Sequence, residues 1–179
     1  MLDFSRNHFA LFGLPLRYRV DNDLLAQRYR ALQRALHPDC YAAAGDRERR
    51  LSLQASTHVN EAFQTLRDPL ARARYLLSLH TGDHGDGRST RDAGFLMEQL
   101  ELLEALAEVR SQADPLAAVG AILDRLADHT RALTSALETL PEAPSASDLE
   151  AAQEQVRKLQ FITKCRQQAQ DLEVELEDT

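Results

Sequence analysis

The chain has no tryptophan, only two cysteines, and aromatic residues at just 6% of its 179 positions. Valine and isoleucine together number 8. Cys40 and Cys165 are too few for a disulfide framework or a four-ligand zinc site, and such cysteine usage points to a reducing, cytoplasmic compartment. No apolar run approaches the ~20 residues that a membrane helix needs. The apolar patch from Phe9 to Leu16 follows Asp3, is cut by Pro15, and lacks the cleavage pattern of a secretory signal. Few β-branched residues, and no alternating runs bounded by turn signals, argue against a sheet. The glycines lack the following Gly-Lys-Ser/Thr of a nucleotide loop, so no ATP site is expected.

What is abundant is leucine, at 30 residues, and alanine, at 26. Both lose little rotamer freedom in a helix. With 44% hydrophobic residues the chain can build a core, and the fold class it predicts is all-α. Charge is uneven. The 21 basic and 28 acidic residues leave a net −7, but residues 1–80 carry +4 and residues 81–179 carry −11. A basic half joined to an acidic half suggests two modules with different partners. A net +4 over residues 1–80, with arginines on one helix face, is modest for nucleic-acid binding, so neither nucleic acid nor a membrane is an expected partner.

A short first helix is expected over Asn7–Leu14, stopped by Gly13 and Pro15. Asp21 then caps a helix whose apolar positions Leu25, Tyr29, Leu32 and Leu36 are spaced 4, 3 and 4. At about 100° per residue, Gln27, Arg30 and Arg34 fall on the opposite side and Arg28 on a flank. This helix stops at His37-Pro38-Asp39, because proline removes a donor and pushes His37 out of helical geometry. Asp46 can cap the next helix, which carries Leu51, Ala55, Val59, Ala62 and Leu66 inward. Asp68-Pro69 opens another, with proline at its preferred first position. Residues 80–91 hold three of the seven glycines and no large apolar residue, and read as a linker. Three longer helices follow: roughly 92–113; one from Asp114-Pro115 to Pro141 with Leu116, Val119, Leu123, Leu126, Leu133, Leu137 and Leu140 as its stripe; and one opened by a Ser147-x-x-Glu150 capping box. Short turns between amphipathic helices predict an antiparallel three-helix bundle. The expected organisation is 1–79, linker 80–91, and 92–179.

The helix from Asp92 to Ala113 has two apolar stripes. Phe95, Leu102, Leu106, Val109 and Ala113 share one face, which suits the bundle core. Leu96, Leu100, Leu103 and Ala107 form another about 120° away, with Met97 beyond it and Glu101, Glu104 and Glu108 alongside. A helix in a small bundle buries one stripe, so the second must pack on another part of the chain or bind a partner. On the last helix Phe161 lies about 180° from the mean of Val156, Leu159 and Ile162. It either fills a gap between modules or anchors a partner.

His37-Pro38-Asp39 between two amphipathic helices, with Val59-Asn60-Glu61-Ala62-Phe63-Gln64-Thr65-Leu66-Arg67-Asp68-Pro69 downstream, resembles a J-domain over about residues 7–78. Such a module stimulates ATP hydrolysis by DnaK-type chaperones. By that resemblance His37, Pro38, Asp39, Arg30, Arg34 and Arg28 are the chaperone-docking residues. Cys40 stands where the family commonly has lysine. Phe12-Gly13-Leu14-Pro15, Tyr75-Leu76-Leu77-Ser78-Leu79-His80, Phe95-Leu96-Met97-Glu98-Gln99-Leu100-Glu101 and Val156-Arg157-Lys158-Leu159-Gln160-Phe161 together resemble the HscB family of iron–sulfur co-chaperones over nearly the whole chain. The resemblance implies a bacterial-type, non-enzymatic protein with no cofactor. Its partners would be the DnaK-type chaperone HscA and the cluster scaffold IscU. It assigns scaffold binding to Leu96, Met97, Leu100, Glu101, Leu103, Glu104 and Phe161, with Arg91 as a further charged candidate; relatives often carry arginine at the position of Leu103. The alternatives are a J-domain protein with another client on its bundle, and an enzyme using Cys40 and His37.

Overall fold

The computed structural model describes residues 6–36, 45–82, 90 and 92–178, with Asp46 by its backbone alone. Among these residues it is helical and without strands: α1 (His8–Leu11), α2 (Asn22–Ala35), α3 (Asp46–Arg67), α4 (Pro69–Thr81), α5 (Ala93–Glu108), a 3-10 turn (Val109–Ser111), α6 (Pro115–Glu138) and α7 (Ala146–Glu177). The chain forms two compact units, Met1–Leu76 and Leu77–Thr179, and the division falls inside α4.

In the first unit α1 is one turn, shorter than the expected Asn7–Leu14. Asn7 caps it by accepting from the Ala10 N–H at 2.8 Å, and Gly13 takes a left-handed φ of 59° that ends it. The guanidinium of Arg28 donates to the carbonyls of Phe12 and Gly13, so α2 holds the end of α1 in place. A Cβ at Gly13 would lie 2.9 Å from Arg28 Nη1. Asp21 caps α2 through bonds from the Asp23 and Leu24 N–H groups, each 3.0 Å. The α2–α3 hairpin packs Leu25 and Leu36 against a stripe of Ala55, Val59, Ala62 and Leu66, all buried. Buried Ser52 donates to the Leu36 carbonyl at 2.9 Å, satisfying an acceptor that the end of α2 would otherwise leave open.

Gly45, not Asp46, is the N-cap of α3: Asp46 is its first helical residue, and Glu48 reaches back to accept from the Gly45 N–H at 3.2 Å. That bond from the Gly45 N–H to the Glu48 carboxylate, available one residue earlier, sets the frame. Asp68 ends α3 and accepts from the Ala71 N–H at 2.6 Å, so it also caps α4, with Pro69 first. Gly82, at φ 69°, follows α4 and donates to the Ser78 carbonyl at 2.9 Å.

The second unit is the three-helix bundle. α6 and α7 form its long antiparallel pair, and α5 packs on both. Val119, Ile122, Leu126, Leu133 and Leu137 of α6 meet Ala152, Val156, Leu159, Ile162, Cys165 and Ala169 of α7 in the core. The expected α6 stripe needs correction at its start: Leu116 is 46% exposed and Leu123 half-buried, while Ile122 is the buried residue. The 3.6-residue period drifts away from a strict heptad, and that rotates the core face. Ala113 is exposed beyond the end of α5, because the 3-10 turn at Val109–Ser111 breaks the wheel before reaching it. The third helix is opened by Ser145-x-x-Asp148 rather than Ser147-x-x-Glu150. Asp148 accepts from the Ser145 N–H at 2.8 Å and hydroxyl at 2.7 Å, and Ser145 accepts from the Asp148 N–H at 3.2 Å. The two boxes lie two residues apart, and the earlier one lengthens the helix by about half a turn.

Candidate functional site

α5 turns Phe95 and Leu102 into the bundle and leaves its second stripe uncovered. Leu96 is 43% exposed, Met97 61%, Leu100 50% and Leu103 45%, whereas Leu102 is 0%. Four large apolar side chains on one 16-residue helix form a patch of the kind that marks interaction surfaces. Acidic residues border it. Glu101 pairs with Arg125 of α6 at 3.2 Å, and Glu98 lies 4.0 Å from His129 Nδ1. Glu104 is exposed. These pairs are on the α6 side of α5, so the stripe's flank there is anchored while its crest stays open.

The α7 side of α5 is different. Phe161 is half-buried, its ring edge-on to Phe95 at 5.9 Å between centroids and 84° between planes. The Lys158 ammonium sits 5.2 Å over the Phe95 ring and pairs with Asp92. The bond from Lys158, and then the Phe95 N–H that Asp92 also caps, hold the Asp92 carboxyl below its usual range. Phe161 therefore meets the first turn of α5, immediately before Leu96 in the chain, while Leu103 stands two turns further on. A wheel drawn for α7 alone points Phe161 away from the α6-facing core; the neighbour it finds in the folded unit is α5.

A further network has no sequence signature. Thr90, buried, donates to Glu154 and accepts from the Asp92 N–H at 3.2 Å, and Arg157 pairs with Glu154 at 2.8 Å. Burial pulls the Glu154 carboxyl upward, but the Thr90 and Arg157 bonds and the charges of Arg157 and Lys158 outweigh it, leaving it below its usual range. This knot ties the chain entering α5 to α7, 64 residues away. No local pattern announces such a pairing.

In the first unit Arg30 and Arg34 are exposed on α2, while Arg28 is spent on the Phe12 and Gly13 carbonyls just after α1. Tyr29 stacks on Phe63 of α3 at 4.0 Å, and beside them lies a groove of about 560 Å³ lined by Asn22, Leu25, Ala26, Tyr29, Arg30, Phe63 and Arg67. By periodicity Phe63 falls on the edge of the α3 stripe, while Arg67 has only its place in the local motif to recommend it. His37, Pro38, Asp39, Cys40 and Arg91 lie outside the described residues. Among the described residues no helix is long and apolar enough to cross a membrane, and no group of three ligand side chains could hold a metal ion. Cys165 is buried, and burial raises its thiol pKa despite the charge of Lys164, which is the environment of a structural cysteine.

An all-α chain of two units, one presenting cationic side chains beside an aromatic groove and the other an open leucine stripe, is built for recognition of other proteins. Known proteins narrow that class. The family model described as the HSCB C-terminal oligomerisation domain matches residues 91–170. The co-chaperone protein HscB homolog of Shewanella baltica (strain OS195) is 42% identical over 159 residues, covering 88% of this chain and 91% of the relative. That of Shewanella amazonensis is 40% identical over 172 residues, covering 96% and 95%. The solved chaperone HscB from Vibrio cholerae superposes with a TM-score of 0.80 at 40% identity, covering 96% of this chain and 99% of that one. Human co-chaperone HscB gives 0.79 at 31% identity, covering 94% and 83%. The chain belongs to the HscB family of co-chaperones.

Proposed function

We propose that this chain is a bacterial, cytoplasmic co-chaperone of iron–sulfur cluster assembly, with no catalytic chemistry of its own. Residues 1–79 act as a J-module that engages HscA through His37, Pro38 and Asp39 and the basic face of α2, chiefly Arg30 and Arg34. Arg28 contributes by fastening α1 rather than by reaching the partner. Residues 92–179 bind IscU through Leu96, Met97, Leu100, Leu103 and Phe161, with Glu101, Glu104 and Arg91 setting the charge around them. The linker of residues 80–91 joins the two. Tethering both partners on one chain raises their effective concentration and couples scaffold delivery to hydrolysis.

The observation that carries this reading is the exposed stripe of α5. Its leucines are unlike a solvated face, and its charged border suits a partner that is itself partly polar. The test is the steady-state ATPase of HscA, with and without IscU and this protein. Wild type is expected to stimulate, and more strongly when IscU is present; His37→Gln is expected to remove the stimulation. A chain that leaves HscA turnover unchanged would overturn the reading. Full stimulation of HscA without any binding of IscU would instead indicate a J-protein with a different client.

A further inference from the structure

The first turn of α5 carries Leu96 and leads into Met97, and it is weak on its own. Gly94 stands inside it, and glycine costs a helix more than any residue but proline. Asp92 closes the turn by accepting from the Phe95 N–H at 3.1 Å, and the Leu96 N–H bonds to the Asp92 carbonyl at 3.0 Å. Fraying here would leave both side chains without a fixed direction.

What opposes fraying comes from α7. Three ties follow one another along both elements: Thr90 to Glu154, Asp92 to Lys158, and Phe95 to Phe161. On α7 these positions are four and then three residues apart, which keeps them on one face. Together they set the rotation of α5 about its axis and its height along α7. The Thr90 tie is the outermost, and both oxygens of Glu154 are engaged in it. One accepts from Thr90, the other from Arg157 Nε at 2.9 Å and Nη2 at 2.8 Å. The Glu154 and Arg157 side chains are each 25% exposed, against 60% and 61% in the surface pair Arg110–Glu175. Breaking a sheltered bond to a buried hydroxyl costs more than parting two solvated ions. The bundle core does not depend on this tie, because the apolar residues of α6 and α7 supply it.

We propose that Thr90 and Glu154 are positioning residues for scaffold binding: they touch no partner, and by pinning the first turn of α5 to α7 they assemble Leu96, Met97 and Phe161 into one face before the scaffold arrives. The inference rests on the scaffold-binding reading of the α5 stripe. A face ordered in advance binds more tightly, because the ordering is not charged to the binding step.

The experiment measures IscU binding to the full chain by calorimetry for wild type, Thr90→Val, Thr90→Ser, Glu154→Ala, the Thr90→Val/Glu154→Ala double variant and Leu96→Ala. Backbone hydrogen exchange is followed on each. Thr90→Val keeps the size of the side chain and removes the hydroxyl. It is expected to weaken binding about fivefold, and Thr90→Ser to recover most of that. Exchange should quicken at Phe95, Leu96 and Met97 and hold at Leu126 and Leu159 in the core. The double variant should bind no worse than the weaker single one, since both changes break one tie. Should Thr90→Val fail to fold, Glu154→Ala tests the same tie with a residue that suits a helix. Additive losses would mean that each residue reaches the scaffold separately, and would overturn the proposal. So would exchange that quickens evenly through α6 and α7, the mark of a general structural role. Unchanged affinity in Thr90→Val and Glu154→Ala, with Leu96→Ala still weakened, overturns the positioning role and leaves the scaffold surface standing. Unchanged affinity in Leu96→Ala as well removes the reading on which it rests.

Discussion

Leu100 and Leu102 stand two residues apart on α5 and should fail in opposite ways when shortened to alanine. Leu102 has no exposed surface, and Leu100 is 50% exposed. Fully burying a leucine side chain is worth about 1.5–3 kcal/mol, so Leu100 keeps roughly half of that, about 1 kcal/mol, in reserve for a partner. Leu100→Ala should therefore weaken IscU binding about fivefold by calorimetry and lower the stability of the bundle by less than about 1 kcal/mol. Leu102→Ala leaves a cavity among Phe95, α6 and α7 and should cost about 2–5 kcal/mol of stability. Its effect on IscU, measured well below its unfolding midpoint, should be small. Stability is read by urea unfolding followed through far-ultraviolet circular dichroism. If Leu100→Ala shifts the midpoint as far as Leu102→Ala does while IscU affinity holds, the stripe is packing surface and the argument from exposure fails.

Two other perturbations isolate single causes. Ser145→Ala removes the reciprocal cap of α7 and should cost about 1 kcal/mol, whereas Ser147→Ala, already inside the helix, should be nearly neutral; equal urea midpoints for the two would contradict the observed frame. His8 has a buried Nδ1 with no hydrogen-bond partner among the described residues, stacks on Tyr75 at 4.1 Å and meets His58 edge-on at 5.5 Å. Burial first, and then the charge of His58, lower its pKa from the ordinary 6.5, with Glu61 pulling the other way. The unfolded chain takes the proton first, so the His8 contribution is present above about pH 6.5 and is lost as pH falls from there through the folded pKa. All four tyrosines lie in residues 1–80 and the chain has no tryptophan, so tyrosine fluorescence reports the first unit alone. His8→Phe should flatten the pH dependence of that unit's urea midpoint between about pH 7.5 and about pH 5; an unaltered slope would acquit His8.

Much of the fold was legible because its punctuation is chemical. Asp21, Asp68-Pro69 and Asp114-Pro115 each open a helix where their side chains dictate. Where two acceptable caps compete, sequence has no means of choosing. Ser145 and Ser147 both head a Ser-x-x-acid box, and Gly45 and Asp46 adjoin, so the outcome depends on which frame buries the helix better. The second stripe of α5 was visible as a wheel angle, since exposure there follows from a helix having one core face. Partners were not visible. Arg28 lies on a flank of α2 by angle, yet its target is the end of α1, and Phe161 finds Phe95 only after α5 and α7 pack. Periodicity assigns directions, and the rotation of one helix against another decides what stands there.

The boundary between the two units runs through the middle of a helix, and this governs how the chain can be cut. A cleavage after Leu76 would strip the carbonyls of Ala73 through Leu76 of their partners in the next turn and leave the second unit starting on unsatisfied N–H groups. Gly82, already left-handed and bonded back to Ser78, is the natural terminus. A fragment ending there keeps α4 whole, and it would carry six residues that the contacts assign to the other unit. The helix therefore works as a shared structural member. Unfolding of either unit should be felt in its backbone hydrogen exchange, residue by residue, before any contact between the units is considered.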